Sequence, residues 1–270
     1  MIMDRKEITL TDLKTIQMDV LSAIDDYCRD NNIRYSLACG SLLGAIRHKG
    51  YIPWDDDIDI YVPRDDYKVL MANFPHIYKD RYEIISLERN PQWEIPFAKA
   101  FDNFTVFEEY STSSLVIGVG IDIFPIDDVP NGDEWLRYDK KRRILQKLFA
   151  LKFVRVSKSR SLIKNFSLVL FRLLSFFYSK RRWAEYIDVF SQRYNGKGCE
   201  YCFECCKGLL QKQPFKKNLF DNLTYIPFED RRYQAFSDAD SYLRNGFGDY
   251  MQLPPEEKRV THHRFTAYWK

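Results

Sequence analysis

Apolar residues recur at intervals of three and four near the start of the chain, which is the spacing of one face of an α-helix. The pattern predicts an amphipathic helix over residues 10–31. Thr9 or Thr11 is a suitable N-cap, because a threonine hydroxyl accepts a hydrogen bond from a backbone N–H. Asn31 and Asn32 mark its end, since asparagine tolerates left-handed backbone. The apolar positions are Leu13, Ile16, Val20, Ile24 and Tyr27.

Shorter apolar runs follow, and residues that favour turns separate them. The runs over residues 33–39 and 58–62 predict strands, with short helices over 42–48 and 65–74. Pro63 stops the second strand, because proline cannot donate a ladder hydrogen bond. Further predictions are strands over 82–87, 95–101, 116–124 and 223–227, loops over 127–132 and 196–208, a helical tract over 134–193 and a helix over 238–245.

The order of these elements predicts an α+β (or α/β) core built on a small mixed sheet. A length of 270 residues is enough for one large domain with a subdomain. We expect a catalytic core over residues 1–133 and a basic helical insertion over 134–195. The C-terminal part, residues 196–270, is expected to complete the same domain.

Charge is unevenly distributed along the chain. The formal net charge is only +3, but residues 137–182 contain 15 Lys or Arg and one acid, Asp139. Such a basic block predicts an anionic partner: lipid headgroups, nucleic acid or a polyanionic acceptor. The charged residues 1–9 lack the apolar segment of a signal peptide, and no apolar run is long enough for a membrane span. These features predict a cytoplasmic protein.

Acidic residues lead directly into a predicted strand in the sequence Asp55-Asp56-Asp57-Ile58-Asp59-Ile60. Residues two apart on a strand point to the same side, so Asp57 and Asp59 should project together while Ile58 is buried on the other side. Two adjacent carboxylates need a cation to offset their repulsion. Hard oxygen ligands suit Mg²⁺ or Mn²⁺. The alternative is an acidic turn without a ligand, which the interleaved isoleucines disfavour.

Gly40 and Ser41 lie between a predicted strand and a predicted helix, upstream of the acidic run. A helix N-terminus presents free N–H groups and the positive end of its dipole, which favours phosphate binding. Glycine lets a phosphate approach the backbone, and serine adds a hydroxyl donor. A Gly-Ser pair is also an ordinary N-cap, but its combination with Asp-x-Asp is more specific.

This combination resembles the nucleotidyltransferase fold, whose members carry Gly-Ser at a helix start and Asp-x-Asp on the next strand. The resemblance becomes more specific over residues 38–63, which read ACGSLLGAIRHKGYIPWDDDIDIYVP. This block is similar to the signature of the LicD family of bacterial phosphocholine transferases, which also resembles the fukutin group of phospho-alditol transferases. Three further blocks agree: KAFDNFT at 99–105, GIDIFP at 120–125 and GDYMQLPPEEKR at 248–259, the last followed by two histidines.

The resemblance implies an activity. LicD-type enzymes move a phospho-alcohol, typically phosphocholine from CDP-choline, to a hydroxyl of a cell-surface glycan precursor and release CMP. The acceptor is a teichoic acid, lipopolysaccharide or capsule precursor, free or lipid-linked. Metal ions bridging the donor phosphates fit this chemistry, which depends on positioning and charge neutralisation.

Other residues in the matched blocks are candidates for the same site. Asp122 lies in an apolar strand, where an unpaired charge is costly, so we expect it to bind metal or accept the acceptor's proton; the alternative is a solvated strand end. Arg47 and Lys99 are candidate phosphate contacts or exposed cations. Trp54 is placed to stack on a base or a choline headgroup, or to pack beside its neighbouring proline.

Two residues of the last block have candidate roles. Tyr250 matches a substrate-binding position, and His263 is a natural proton carrier near neutral pH. A structural role for His263 is equally consistent with the sequence. Asp127 and Asp128 are expected to lie in a solvated loop.

The cysteines depart from the bacterial pattern. Cys199, Cys202, Cys205 and Cys206 are closely spaced, which allows a structural Zn²⁺ site. Reduced, unliganded thiols are the alternative, and the awkward spacing favours it.

Residues 161–183 are rich in leucine, phenylalanine and valine, with interspersed cations. The segment is a candidate for an amphipathic helix on the inner face of a membrane, where lipid-linked acceptors are found. The alternative is an ordinary packing helix with a cationic rim.

Two other functions remain. Within the same fold, a nucleotidyltransferase would use a nucleoside triphosphate on a small molecule, protein or RNA and release pyrophosphate. A nucleic-acid binder would use the basic block, but the sequence offers no motif for reading a groove, so we expect no nucleic-acid partner.

Overall fold

A computed structural model describes residues 6–74, 81–109, 115–154, 161–175, 178–207, 212–261 and 265–270. The α-helices are α1 (Leu10–Asp30), α2 (Cys39–His48), α3 (Arg64–Asn73), α4 (Gly132–Leu151), α5 (Leu162–Leu174), α6 (Lys180–Ser191) and α7 (Ala239–Phe247). The strands are β1 (Ser36–Leu37), β2 (Asp59–Pro63), β3 (Tyr82–Ile85), β4 (Ala98–Asp102), β5 (Thr105–Glu109), β6 (Gly120–Val129), β7 (Tyr201–Glu204), β8 (Phe215–Lys216), β9 (Leu223–Phe228), β10 (Arg231–Phe236) and β11 (Phe265–Trp269).

Helix α1 confirms the expectation from its apolar spacing. Thr9 caps it through a capping box, in which its hydroxyl accepts from the Asp12 N–H at 3.2 Å while its own N–H donates to the Asp12 carboxylate at 3.1 Å. Asn31 is the C-cap, and Asn32 adopts left-handed backbone with φ of 54°. The buried stripe packs against β4 and β6, so α1 covers one face of the main sheet.

The main sheet is mixed, as the sequence predicts. Its strands run in the order β1–β2–β6–β4–β3, with β2 and β6 parallel and the other pairs antiparallel. The long strand β6 is its centre: residues 120–123 pair with β4, and residues 126–129 pair with β7, which in turn pairs with β8. Two antiparallel pairs, β9–β10 and β5–β11, flank this sheet. The architecture is therefore α+β.

Two predicted loops are wrong. Asp127 and Asp128 belong to β6, and β7 lies inside the segment expected to be a cysteine-bearing loop. Asp127 is fully buried rather than solvated: Arg64 Nε and Nη2 donate to its two carboxylate oxygens at 2.7 and 2.6 Å. Arg64 Nη1 also binds Asp188 at 2.8 Å, so this buried network joins α3, β6 and α6.

The basic part of the chain forms helices α4, α5 and α6. Helices α4 and α6 pack around a second apolar cluster, which contains Trp135, Tyr138, Ile187, Phe190 and Phe203. Among the described residues, none of the helices combines the length and the apolar character needed to span a bilayer.

Candidate active site

The first turn of α2 is bonded directly to the first residue of β2. The Ala38 N–H donates to the Asp59 carbonyl at 2.9 Å, and the Asp59 N–H donates to the Ser41 hydroxyl oxygen at 2.9 Å. Both backbone groups of Asp59 are therefore held by the helix start. Cys39 enters this helix with a φ of 48°, an uncommon value for a residue other than glycine, which marks a sharp change of chain direction.

Ser41 and Gly40 are placed differently with respect to the cleft. Its side chain is buried and does not line the adjoining cleft, whereas Gly40 does. Helix α2 begins at Cys39 rather than at Leu42, which places Ser41 in the first turn facing β2. Ser41 therefore holds the backbone of Asp59 in place, and the contact of its hydroxyl with a phosphate stays a prediction.

Gly40 is in close contact with a carboxylate that the sequence did not single out. A Cβ at this position would lie 2.5 Å from Asp55 Oδ2, closer than side chains tolerate. Any other residue at position 40 would force the Asp55 carboxylate to move away from its present position at the start of α2. Asp55 also lines the cleft, beside Asp57 and Asp59.

The acidic side chains form a dense group. Asp55, Asp56 and Asp57 each place a carboxylate oxygen within 4.8 Å of the others. Asp59 lies opposite Asp122 in the register of the parallel strands β2 and β6. Asp57 and Asp59 line one cleft, as their alternation with the buried Ile58 and Ile60 predicts.

The electrostatics of this group show a deficit of positive charge. Burial and the neighbouring Asp57 raise the pKa of Asp55 to about 7. Burial, with Asp57 and Asp122, also raises the pKa of Asp59 well above its usual value. Asp59 Oδ1 is buried and has no hydrogen-bond partner among the residues that the structure describes. A cation is what such an arrangement accommodates best.

Two lysines approach the group from one side. Lys99 Nζ lies 2.6 Å from Asp122 Oδ1, so the predicted phosphate contact is ion-paired to the predicted third carboxylate. Lys207 Nζ lies 3.8 Å from Asp122 Oδ2. Burial lowers the pKa of Lys207, but Asp122, Asp59 and Asp57 outweigh it and hold the pKa above its ordinary value.

Lys207 was missed from the sequence because it lies in the cysteine-bearing segment 196–208, which was predicted to be a loop. The pairing of β7 with β6 delivers it to the carboxylates. A lone lysine after two cysteines gives no local signal of this placement.

The open space above the carboxylates, which we call the carboxylate cleft, has a volume of about 810 Å³. Three predicted residues line it together with Gly40 and the acids: Arg47, Trp54 and Tyr250. Arg47 Nη1 donates to the Tyr250 carbonyl at 2.8 Å, and burial lowers the pKa of Arg47.

Tyr250 and Trp54, the other two predicted residues that line the carboxylate cleft, have further contacts. The Tyr250 hydroxyl donates to Asp240 at 2.9 Å, and the guanidinium of Arg259 lies 5.7 Å from the centre of the Trp54 ring.

A second, smaller space adjoins the same carboxylates, with a volume of about 330 Å³. We call it the phenylalanine cavity, because Phe97, Phe107, Phe149 and Phe153 line it. Its polar boundary includes Asp57 and Lys207, which also line the carboxylate cleft. Asp122 and Lys99 belong to the cavity only. The two spaces therefore meet at Asp57 and Lys207, an arrangement that the sequence did not predict.

The four clustered cysteines are not arranged as a zinc site. Cys202 packs in the main core while Cys205 packs in the second cluster. Among the described residues, the acids Asp55 to Asp57 are the only group of three or more candidate ligands that converges. Cys202 lies on β7 and Cys205 just after it, and because the two pack in different clusters the structure favours the reduced, unliganded thiols. The predicted catalytic residue His263 lies outside the described residues.

A family model described as "LicD/FKTN/FKRP, nucleotidyltransferase domain" matches residues 32–158. The chain is also 31% identical over 268 residues to the lipopolysaccharide cholinephosphotransferase LicD of Haemophilus influenzae, covering 97% of this chain and 99% of that protein. The chain belongs to the LicD family. It is accordingly a phosphotransferase, and the resemblance drawn from its motifs is confirmed.

Two shorter likenesses involve uncharacterised proteins. One, of Rickettsia prowazekii, is 39% identical over 79 residues, 29% of either chain. The other, of Rickettsia typhi, is 56% identical over 36 residues, 13% of this chain and 12% of that one. The segment matched by the LicD family model contains the carboxylates and Gly40 but ends before Lys207 and Tyr250.

Proposed function

We propose that this LicD-family enzyme transfers phosphocholine from CDP-choline to a hydroxyl of a lipopolysaccharide or related surface-glycan precursor, with release of CMP and with help from Mg²⁺ or Mn²⁺. The relative from Haemophilus influenzae, which matches almost end to end, acts on lipopolysaccharide as a cholinephosphotransferase. The observation that carries the proposal is the group of carboxylates pressed against the start of α2.

The residues present fit a divalent metal ion. All candidate ligands are carboxylate oxygens, which suit Mg²⁺ and Mn²⁺. The buried Asp59 Oδ1 has no hydrogen-bond partner in the described part of the chain, and a ligand there would satisfy it. Asp57 and Asp59 would hold the ion, with Asp55 and Asp122 beside them. The ion would neutralise charge on the donor phosphates and on the departing CMP.

The chain's own groups orient the donor in the carboxylate cleft. The N-terminal turn of α2 reaches the cleft at Gly40, beside the Asp55 carboxylate, and we assign the donor phosphates to this end of the cleft. Arg47 adds a fixed positive charge, since its guanidinium is tied to the Tyr250 carbonyl. Trp54 offers an aromatic face for the cytosine base or the choline group.

The transfer breaks the bond between the phosphocholine phosphorus and the bridging oxygen, which leaves with CMP. A bond forms from the acceptor oxygen to the same phosphorus, and the acceptor's proton passes to a carboxylate. Asp122 is our candidate for that role, because Lys99 and Lys207 hold its carboxylate at the boundary of the phenylalanine cavity. The cavity shares Asp57 and Lys207 with the cleft, and we therefore assign the acceptor to the cavity, next to the donor.

The products of two donors test this proposal. Enzyme incubated with Mn²⁺, CDP-choline and a lipopolysaccharide acceptor should release CMP and label the acceptor, and EDTA should stop the reaction until metal is restored. CDP-ribitol and CDP-glycerol, offered in competition, would identify the preferred alcohol. Pyrophosphate from CTP, without CMP from any CDP-alcohol, would instead show a nucleotidyltransferase. CMP release at an undiminished rate in EDTA would contradict the proposed requirement for a metal ion.

We further propose that the enzyme works on the cytoplasmic side, where CDP-activated donors are made, with residues 134–195 as an insertion into one catalytic domain. The first point is tested by fractionation of cells that express the tagged protein. Limited proteolysis tests the second, since an insertion should be cut before the surrounding core.

A further inference from the structure

Helix α5 presents an apolar stripe to solvent. Ile163, Phe166 and Leu173 are 78%, 69% and 66% exposed, and Val169 and Leu170 are 43% and 45% exposed. At 100° per residue these five positions fall within about one third of the helix circumference. Scattered exposed apolar residues are ordinary, but a continuous stripe of five on one helix marks a surface that binds something.

The opposite side of α5 is already packed, which fixes the direction of the stripe. Leu168 is buried, and Arg172 Nη2 donates to the Val154 carbonyl at 2.5 Å. Lys152 Nζ donates in return to the Ser175 carbonyl at 2.7 Å. These two hydrogen bonds attach the C-terminal part of α5 to the segment that follows α4. The packed face of α5 is therefore fixed against the protein, and the apolar stripe faces outward.

Charge decides between the possible occupants of the stripe. Residues 139–185 contain 14 Lys or Arg and only two acids, Asp139 and Glu185, which pair with Arg142, Arg143 and Arg181 and leave a large positive excess. A second copy of the chain, meeting this one stripe to stripe, would bring two such cationic segments together, and they would repel. An anionic lipid surface complements the same charge, and the stripe would enter the boundary between headgroups and acyl chains.

The location of α5 also links this surface to the reaction. Phe149 near the end of α4 and Phe153 just after it line the phenylalanine cavity, and the residues next to Phe153 hold α5. A lipid surface bound by α5 would therefore lie near the cavity that we assign to the acceptor.

We propose that α5 is an interfacial helix that docks the enzyme on an anionic lipid bilayer, with Ile163, Phe166, Val169, Leu170 and Leu173 inserted and the surrounding lysines and arginines on the headgroup phosphates. The helix lies in the plane of the interface and does not cross it. Docking is a property of this surface alone and does not depend on which phospho-alcohol the enzyme transfers.

Vesicle co-sedimentation tests the proposal with the full-length protein. Wild type should pellet with vesicles of equal parts phosphatidylglycerol and phosphatidylcholine, pellet at least about tenfold less with phosphatidylcholine alone, and be partly released by salt. The double variant Ile163→Asp/Phe166→Asp should lose at least about tenfold in affinity for the anionic vesicles. Val69→Asp is the matched control, since Val69 is an exposed valine on α3.

The control should bind as wild type does, and all proteins should keep the wild-type melting temperature. Wild type that stays in the supernatant with anionic vesicles would overturn the proposal, as would a double variant that still pellets. Sedimentation velocity gives a further outcome: self-association abolished by the double variant, without vesicle binding, would assign the stripe to a second copy instead.

Discussion

Two buried aspartates, Asp59 on β2 and Asp127 on β6, lie on neighbouring strands of the main sheet, and their surroundings differ. Asp127 on β6 receives two hydrogen bonds from Arg64 and a third from Asn195 Nδ2 at 2.7 Å. Asp59 on β2 has a buried oxygen without a hydrogen-bond partner among the described residues.

We interpret this difference as one between a structural charge and the functional charge that we propose for Asp59. An acid that the fold uses for stability is neutralised by the fold, whereas one that serves a ligand is left incompletely satisfied. Strand β6 carries Asp127 in its second half and, in its first half, Asp122, which Lys99 and Lys207 approach. The following substitutions probe that contrast.

Asp59→Asn should have the largest effect on turnover. The amide keeps the shape of the side chain but loses the charge, so we expect CMP release to fall by about a thousandfold. Stability should not fall, because one of several mutually repelling carboxylates is gone. Initial rates and urea unfolding of the same preparation measure both quantities. Asp230→Asn, at an exposed position on the turn between β9 and β10, is the control. An active Asp59→Asn enzyme would remove this carboxylate from the mechanism.

Arg64→Met should produce the opposite result. It leaves Asp127 buried without its main partner, which costs about 3–5 kcal/mol of unfolding free energy. Turnover of the folded fraction should be retained, because Arg64 does not line the carboxylate cleft or the phenylalanine cavity. Urea titration gives the free energy, and rates at low temperature give the turnover. The double variant Arg64→Met/Asp127→Leu should recover part of the lost unfolding free energy. A double variant with a lower unfolding free energy than Arg64→Met would contradict this account.

Lys207→Met tests the cation at the junction of the two spaces. The methionine side chain keeps most of the packing of Lys207, but the substitution removes the positive charge beside Asp122, Asp59 and Asp57. We expect turnover to fall by about ten- to a hundredfold with little change in melting temperature. The exposed Lys216 on β8 supplies the control, Lys216→Met. Equal rates for both variants would mean that Lys207 only balances charge in the absence of metal.

Ser41→Ala should have the smallest effect. It removes the acceptor of the Asp59 N–H, a single neutral hydrogen bond worth about 1 kcal/mol. Turnover should fall only severalfold, since the Asp59 carbonyl remains bonded to the Ala38 N–H. Thermal unfolding and the dependence of rate on donor concentration measure the two effects. A large rise in KM without loss of stability would show instead that the hydroxyl contacts the donor.

Much of the local structure could be predicted from local patterns. The capped helix α1 follows from its apolar spacing, and the alternation of Asp57, Ile58 and Asp59 correctly placed two acids in one cleft. The predicted residues Arg47, Trp54, Tyr250, Lys99 and Asp122 also adjoin the carboxylates. Their roles stay predictions, as does that of His263.

The errors occurred where long-range pairing overrides local signals. Two acids after Pro125 are typical of a loop, yet β7 pairs with this stretch and Arg64, 63 positions away from Asp127, neutralises it. The fold also separates the closely spaced cysteines: Cys202 on β7 packs in the main core, and Cys205, just after that strand, packs in the second cluster.

The amino-acid sequence by itself determined the family, the amphipathic elements and the acidic motif, because each depends on residues that are neighbours along the chain. Only the tertiary structure decided that Asp55 packs on Gly40, that Lys207 reaches the carboxylates and that cleft and cavity meet at Asp57. These contacts join residues far apart in sequence, and no local periodicity encodes which distant groups a folded backbone brings together.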